Sequence, residues 1–166
     1  MKKIIFLDID GVLASYDFLC SQQGLIEPAK VHLLNQLEDA EIVISSSWGE
    51  DGGNTEKALR DRGLKLPIVG YTKHFHEDWL CRGNEIERWL HEHCGGMGTK
   101  YGCDIEGEPY YRHHYSNTDI DYEFVIFDDD ADFLLGQANN FIRTNRKEAL
   151  TQADIDRARK ILNREV

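Results

Sequence analysis

Two aspartates one residue apart, Asp8 and Asp10, close an apolar run and are followed by Gly11. A distant apolar run, Phe124–Phe127, closes on Asp128, Asp129 and Asp130. A third, Ile42–Ile44, closes on Ser45, Ser46 and Ser47. Carboxylates brought together without neutralisation repel one another, and a divalent cation removes the conflict. Mg²⁺ prefers oxygen ligands and keeps several waters, so one or two carboxylates and a substrate phosphate suffice to hold it. A carboxylate can also attack phosphorus to give an acyl phosphate that water then hydrolyses. A second carboxyl can protonate the leaving oxygen and later activate that water. The hydroxyl of Ser45 can donate to a phosphoryl oxygen, and a cation such as Arg82 can balance charge on the transferring group.

These residues can cooperate only if the fold collects them. Ile4–Leu7 and Ile42–Ile44 read as strands buried on both faces. Leu66–Val69, Phe124–Phe127 and Phe141–Arg143 are further strand candidates. Between them, Val31, Leu34 and Leu37 give a helical period over 28–39. Thr55–Arg62 is a short helix stopped by Gly63. Asn84–His93 starts with a capping box, Asn84 with Glu87, and buries Ile86, Trp89 and Leu90. Thr151–Arg164 is amphipathic, with Thr151 and Asp154 at its start. Strands alternating with helices predict a parallel sheet covered on both sides. The ligand crevice of such a sheet lies beyond the carboxyl ends of its strands, where the acids and serines fall.

Residues 94–122 break the alternation. They are rich in glycine, tyrosine and histidine, without a clear period, and read as a loop-rich insertion over the active-site face. Its run from Tyr110 to Tyr115 interleaves aromatics with cations, as a nucleotide or single-strand platform would. Tyr111 and Arg112 are therefore candidate substrate contacts; the alternative is a packed loop anchored by tyrosines. His91, His93, Cys94, Cys103, His113 and His114 have zinc-ligand chemistry, but their spacing matches no standard knuckle or finger. His74 and His76, flanking Phe75, read as a solvated loop; the alternative is a substrate contact.

Composition narrows the class. The 166 residues carry 30 acids against 19 Lys+Arg, a formal charge of −11. That balance does not suit a protein gripping long nucleic acid by phosphate neutralisation, although it leaves room for a local, cation-bearing site. No apolar run reaches the ~20 residues of a membrane span. The start MKKIIFLDID imitates a signal peptide until Asp8 and Asp10 interrupt it. The expectation is a cytoplasmic protein with free thiols, no membrane association and no obligate protein partner.

The order IIFLDIDGV, IVIS, CRGNEIERWL and FVIFDDD resembles the four motifs of the haloacid dehalogenase (HAD) superfamily of phosphohydrolases. More narrowly, IFLDIDGVL, ISSSW, RGNEIERWL and LTQADIDRARKIL resemble the small HAD domains of bacterial and phage RNA-repair proteins. The resemblance implies a three-layer α/β/α sandwich with a Rossmann-like parallel sheet and little or no cap domain, formed by residues 1–166 as one domain. It implies Asp8 as nucleophile and Asp10 as general acid/base, with the Asp10 carbonyl facing the metal. It makes Ser45 the phosphate-binding hydroxyl, with Ser46 as the fallback, and Arg82 the third-motif cation. Asp129 becomes the fourth-motif ligand with Asp128 beside it, and Gly11 allows the sharp exit from the first motif. The implied activity is Mg²⁺-dependent hydrolysis of a phosphomonoester, with a nucleotide or nucleic-acid terminal phosphate as substrate. The alternatives are a small-metabolite phosphatase of the same superfamily and a non-catalytic phosphate- or nucleotide-binding module.

Overall fold

The computed structural model describes residues 1–21, 23–73, 80–94, 98–103, 109–114 and 121–163. Its centre is β1 (Lys2–Leu7). On one side lie β2 (Glu41–Ile44) and then β3 (Ile68–Tyr71); on the other lie β6 (Tyr122–Asp128) and then β7 (Phe141–Arg143). All of these strand pairs are parallel.

The continuous apolar runs have a simple cause. Successive strand residues point to opposite faces, and both faces are covered. Ile4 and Phe6 of β1 join Val43, Ile126 and Phe141 beneath α4 (Arg82–Cys94), which contributes Ile86, Trp89 and Leu90. Phe6 meets Trp89 edge-on, with ring centroids 5.6 Å apart. Ile5 and Leu7 turn the other way, into a cluster with Val31 and Leu34 of α2 (Pro28–Leu34), Leu59 of α3 (Gly52–Asp61) and Ile155, Ala158 and Ile161 of α5 (Gln152–Leu162). The result is the α/β/α sandwich that the sequence predicts. A short helix, α1 (Tyr16–Cys20), is the only helix between β1 and α2 among the described residues.

Element ends shift for identifiable reasons. The helix predicted over 28–39 stops at Leu34, and turns carry the chain through Leu37 to Ala40. The third strand starts at Ile68, because Pro67 has no N–H to give and offers only its carbonyl, to Ile42 N at 2.8 Å. α4 begins at Arg82, two residues before Asn84. The Asn84 side chain instead reaches back to accept from Cys81 N at 3.0 Å. At α5 the expected capping box is present: Thr151 and Asp154 each accept from the other's backbone N–H.

The segment 94–122 departs most from expectation. It contains an antiparallel pair, β4 (Gly98–Cys103) and β5 (Pro109–His114), in a separate two-stranded sheet. Thr and Tyr favour extended backbone, and pairing Tyr101 with Tyr111 supplies the missing order. Its attachment points are also informative. α4 runs from the carboxyl end of the sheet, at Arg82, back to its amino end, about 20 Å away at 1.5 Å per residue. Lys2 N donates to Asp121 O at 2.7 Å, so β6 starts at that same amino end. The segment thus leaves and rejoins the body at the end of the sheet opposite Asp8 and Asp128. Tyr111 and Arg112 fall on β5, but their side chains lie outside the described residues, as do His74 and His76. No described helix is long and apolar enough to cross a membrane.

Candidate active site

Chain direction creates the crevice. From β1 the chain passes to β2 on one side and later returns to β6 on the other, so neighbouring connections diverge above the β1–β6 pair. Register then sets which residues stand there. Leu7 pairs with both Ile44 and Phe127, so β1, β2 and β6 end nearly level. The first residues at or past those ends are Asp8, Ser45 and Asp128. Asp8 N donates to Phe127 O at 3.0 Å, which carries the ladder one residue further and sets Asp8 beside Asp128.

Gly11 completes the first turn with φ +71°. A Cβ there would run into Asp129 Cγ, so any side chain would collide with that carboxylate. Thr144 ties the same region together from β7's end. Its hydroxyl donates to Gly11 O at 2.9 Å, and its N–H donates to Asp128 O at 3.0 Å.

Carboxylate oxygens of Asp8, Asp128 and Asp129 all lie within 4.8 Å of one another. Each residue is at most 9% exposed. Burial pushes the Asp8 carboxyl up to about 7, and the neighbouring Asp128 charge adds to the rise; the Ser46 hydroxyl, Arg82 and the Ile9 N–H oppose it. Burial likewise raises Asp128 to about 6, against the Asp130 N–H and Arg82, and Asp129 and Asp130 push it further up. Arg146 forms an ion pair with Asp129 through Nε, and Arg143 Nε donates to Asp129 O at 3.0 Å.

The serines divide their contacts. Ser46 hydrogen-bonds the Asp8 carboxylate, whereas Ser45 accepts from the Thr72 hydroxyl at 3.5 Å. Both are nearly inaccessible, at 1% and 2% exposure. A 3₁₀ turn follows them, Ser47–Asp51, and Trp48 in it donates its indole N–H to Asp10 Oδ2 at 3.1 Å. Asp10 is therefore exposed at the rim, held by Trp48 and apart from the three buried carboxylates.

Arg82 enters from the other layer. Its charge reaches Asp8 and Asp128, and its Nη1 pairs with Glu85 Oε2 at 3.3 Å. Glu85 is buried and also accepts from Thr72 Oγ1 at 3.4 Å. The helix start is fixed by the fourth-motif loop: Asp132 Oδ2 accepts from Arg82 N at 2.9 Å, and Gln137 Nε2 donates to Gly83 O at 2.9 Å. Asp132 thus caps a helix distant in the chain. A carboxylate at a helix N-terminus is favoured by the exposed N–H groups and the dipole.

Sequence reasoning missed Trp48 as the partner of Asp10, Glu85 as the partner of Arg82, and Arg143 and Arg146 around Asp129. The three-residue spacing of Arg82 and Glu85 was a usable signal, since such residues are neighbours on a helix. No local pattern marks the other three contacts, which cross between elements. Zinc finds no support where it can be checked. The His93 ring stacks on Trp89 at 4.1 Å and its Nδ1 meets Trp89 O at 2.9 Å. Among the described residues, only the aspartate cluster brings three metal-ligating side chains together.

The cluster makes stability depend on pH in a definite direction. Asp8 and Asp128 bind protons more tightly folded, near 7 and 6, than unfolded, near 3.8. Between about pH 4 and 7 the folded state therefore holds protons that the unfolded chain has released, and stability falls as pH rises through that window. In chelator, melting at pH 5 is expected to exceed that at pH 7.5 by on the order of 5 °C. Asp128→Asn should shrink the difference. An equal pH response in wild type and Asp128→Asn would refute the cluster's role.

Residues 4–103 match the family described as the HAD domain in Swiss Army Knife RNA repair proteins. No curated protein matches the chain, and no solved structure matches it. The matched span holds β1 from Ile4 onward with Asp8 and Asp10 after it, the serine turn after β2, and α4 with Arg82. The strand carrying Asp128 lies beyond it, and pairing with β1 returns that strand to the same crevice. With the match covering more than half of its length, the chain belongs to the family of HAD domains found in Swiss Army Knife RNA repair proteins.

Proposed function

We propose that the protein is a Mg²⁺-dependent phosphomonoesterase that works through an aspartyl phosphate on Asp8 and acts on a nucleotide or nucleic-acid terminal phosphate. The observation that carries this reading is the buried Asp8–Asp128–Asp129 cluster with Arg82 and Ser46 facing it. Its donor set suits Mg²⁺: three carboxylates and no soft ligand, two of them held well above the ordinary carboxylate range by burial and by neighbouring carboxylates, which Arg82 only partly offsets. Asp8, Asp128 and Asp129 would hold the ion together with the Asp10 carbonyl. When bound, it would neutralise the carboxylates and polarise the phosphoryl group.

Asp8 Oδ attacks phosphorus, and the bond from phosphorus to the leaving oxygen breaks. Asp10 gives its proton to that oxygen. The Asp10 carboxylate then takes a proton from water, whose oxygen attacks the acyl phosphate. The bond from phosphorus to Asp8 breaks, restoring the carboxylate and releasing inorganic phosphate. Arg82 balances the charge that develops on the phosphoryl oxygens. Asp10 stands at the open rim, where a leaving group departs. Beside it, Trp48 lines a groove of about 620 Å³ with Leu25, Ile26 and Pro28. An aromatic face there suits a nucleoside, since stacking is worth about 1–3 kcal/mol per base.

The test is a panel of an aryl phosphate, mononucleotides, and 5′- and 3′-phosphorylated oligonucleotides. Hydrolysis is expected with Mg²⁺ and none with chelator. Mg²⁺ at a hundred times its Kd should add about 2.7 kcal/mol of stability, raising Tm by roughly 5–10 °C. Asp129→Asn should lose most of that rise. Binding of nucleotide without turnover of any member would replace the enzyme reading with that of a binding module.

A further inference from the structure

The turn that follows β7 belongs to the crevice, yet the hydrolysis proposed above leaves most of it unused. Residues 143–147 read Arg-Thr-Asn-Arg-Lys, three cations without an acid, in a chain whose formal charge is −11. Arg143, Thr144, Asn145 and Arg146 line a cavity of about 470 Å³ together with Asp129. Asp129 of the carboxylate cluster thus forms part of this cavity's wall.

The turn's backbone is held from every side. Beyond the two Thr144 bonds, Lys147 N donates to Asn145 Oδ1 at 2.9 Å, and Glu148 N donates to Asn145 O at 3.0 Å. Tyr16 N donates to Arg146 O at 2.9 Å, Leu150 N to Val12 O at 2.9 Å, and Lys30 Nζ to Glu148 O at 2.6 Å. Ala149 takes φ +53° to close it. In contrast, the side chains of Arg143, Asn145, Arg146 and Lys147 all belong to exposed residues. Arg143 uses Nε on the Asp129 carbonyl and, with Lys147, forms no ion pair among the described residues. With the backbone already held, an arriving anion has only the side chains left to order, and Arg146 is partly held by its Nε pair with Asp129.

Arg82 is committed to the reacting phosphate and to Glu85, so a second cation set one step away serves a second anion. We propose that the 143–147 turn is a backbone cradle for single-stranded nucleic acid, with Arg143, Arg146 and Lys147 holding the internal phosphates next to the terminal one. The proposal rests on the phosphomonoesterase reading for the position of that terminal phosphate. A strand supplies a phosphate at every step, which matches adjacent cations better than the lone phosphate of a phosphopeptide. The local positive strip also reconciles an acidic chain with a polyanionic substrate, because phosphate contacts act over short, screened distances.

The test measures binding of a fluorescent ten-nucleotide RNA, phosphorylated at the 5′ or the 3′ end, to the full chain carrying Asp8→Asn, in Mg²⁺. Adding Arg143→Gln with Lys147→Gln is expected to weaken binding about tenfold at low salt. It should also reduce the slope of log K against log salt by about 1.4, at roughly 0.7 per lost contact on a single strand. Lys147→Glu alone, which leaves the Asp129 carbonyl bond intact, should act in the same direction. Lys65→Gln with Lys160→Gln, on exposed positions of other elements, should change neither quantity. In otherwise wild-type protein the preference for oligonucleotide over mononucleotide, as a ratio of kcat/KM, should fall about tenfold.

Unchanged affinity and slope would overturn the cradle. So would absence of RNA binding, equal binding of a phosphopeptide of the same charge, or dependence on Tyr111 and Arg112 instead. If wild type hydrolyses no phosphomonoester but RNA binding still depends on the turn, the hydrolase reading falls and the cradle stands.

Discussion

Asp8→Asn is expected to abolish turnover of every phosphomonoester, by at least about 10⁴-fold, since loss of a covalent nucleophile removes the whole pathway and not one contact. An amide nitrogen or oxygen at that position cannot form the acyl phosphate. The substitution preserves shape, which matters because Asp8 is 9% exposed and its N–H is part of the sheet. It also removes a carboxylate whose titration is displaced to about 7 by burial and by Asp128. In chelator at pH 7.5 the variant should therefore melt higher than wild type. Activity and melting measured on one preparation separate chemistry from folding. Multiple turnover retained in Asp8→Asn would remove Asp8 as nucleophile, and a lowered Tm would contradict the account of the cluster as a site of repulsion.

The second large effect concerns Asp10. General acid–base catalysis contributes about 10²–10⁴-fold. Asp10→Asn should lose that amount on an alkyl or nucleoside phosphate, whose leaving oxygen needs a proton. An aryl phosphate leaves without help in the first step, so acyl-phosphate formation, seen as a burst of aryl alcohol, should change less than about tenfold. Steady-state turnover should still fall, because the second step needs Asp10 to deprotonate water. Trp48→Phe removes the 3.1 Å bond to Asp10 Oδ2 while keeping an aromatic face on the groove. It should produce a smaller loss with the same leaving-group dependence, which a general loss of packing would not. Equal losses for alkyl and aryl substrates in the burst step would argue against Asp10 as the leaving-group acid.

Much of the fold was legible because it follows from local chemistry. Ile4–Leu7, Ile42–Ile44 and Phe124–Phe127 are short, continuously apolar and closed by polar residues, which fits a strand covered on both sides. The α5 start was legible because Thr151 and Asp154 cap each other within one turn. The pairing of Gly98–Cys103 with Pro109–His114 was not, because its order comes from contact across strands and not from any period in the sequence. The start of α4 was misplaced because its capping acid, Asp132, comes from the loop after β6 and not from the preceding residues.

The site divides in the same way. Residue types and positions at strand ends or a helix start single out Asp8, Asp10, Arg82, Asp128 and Asp129 as candidates, since each motif carries its chemistry within a few residues. Which of them meet was decided by tertiary structure. Register between β1 and β6 places Asp8 beside Asp128, and a glycine contact fixes Asp129 against the first turn. The serine that touches Asp8, the indole that holds Asp10, and the arginines around Asp129 are likewise consequences of packing. A sequence specifies what a side chain can donate, accept or ionise. The distance between two such side chains, and the burial that shifts their ionisation, exist only once the sheet has aligned segments more than a hundred residues apart.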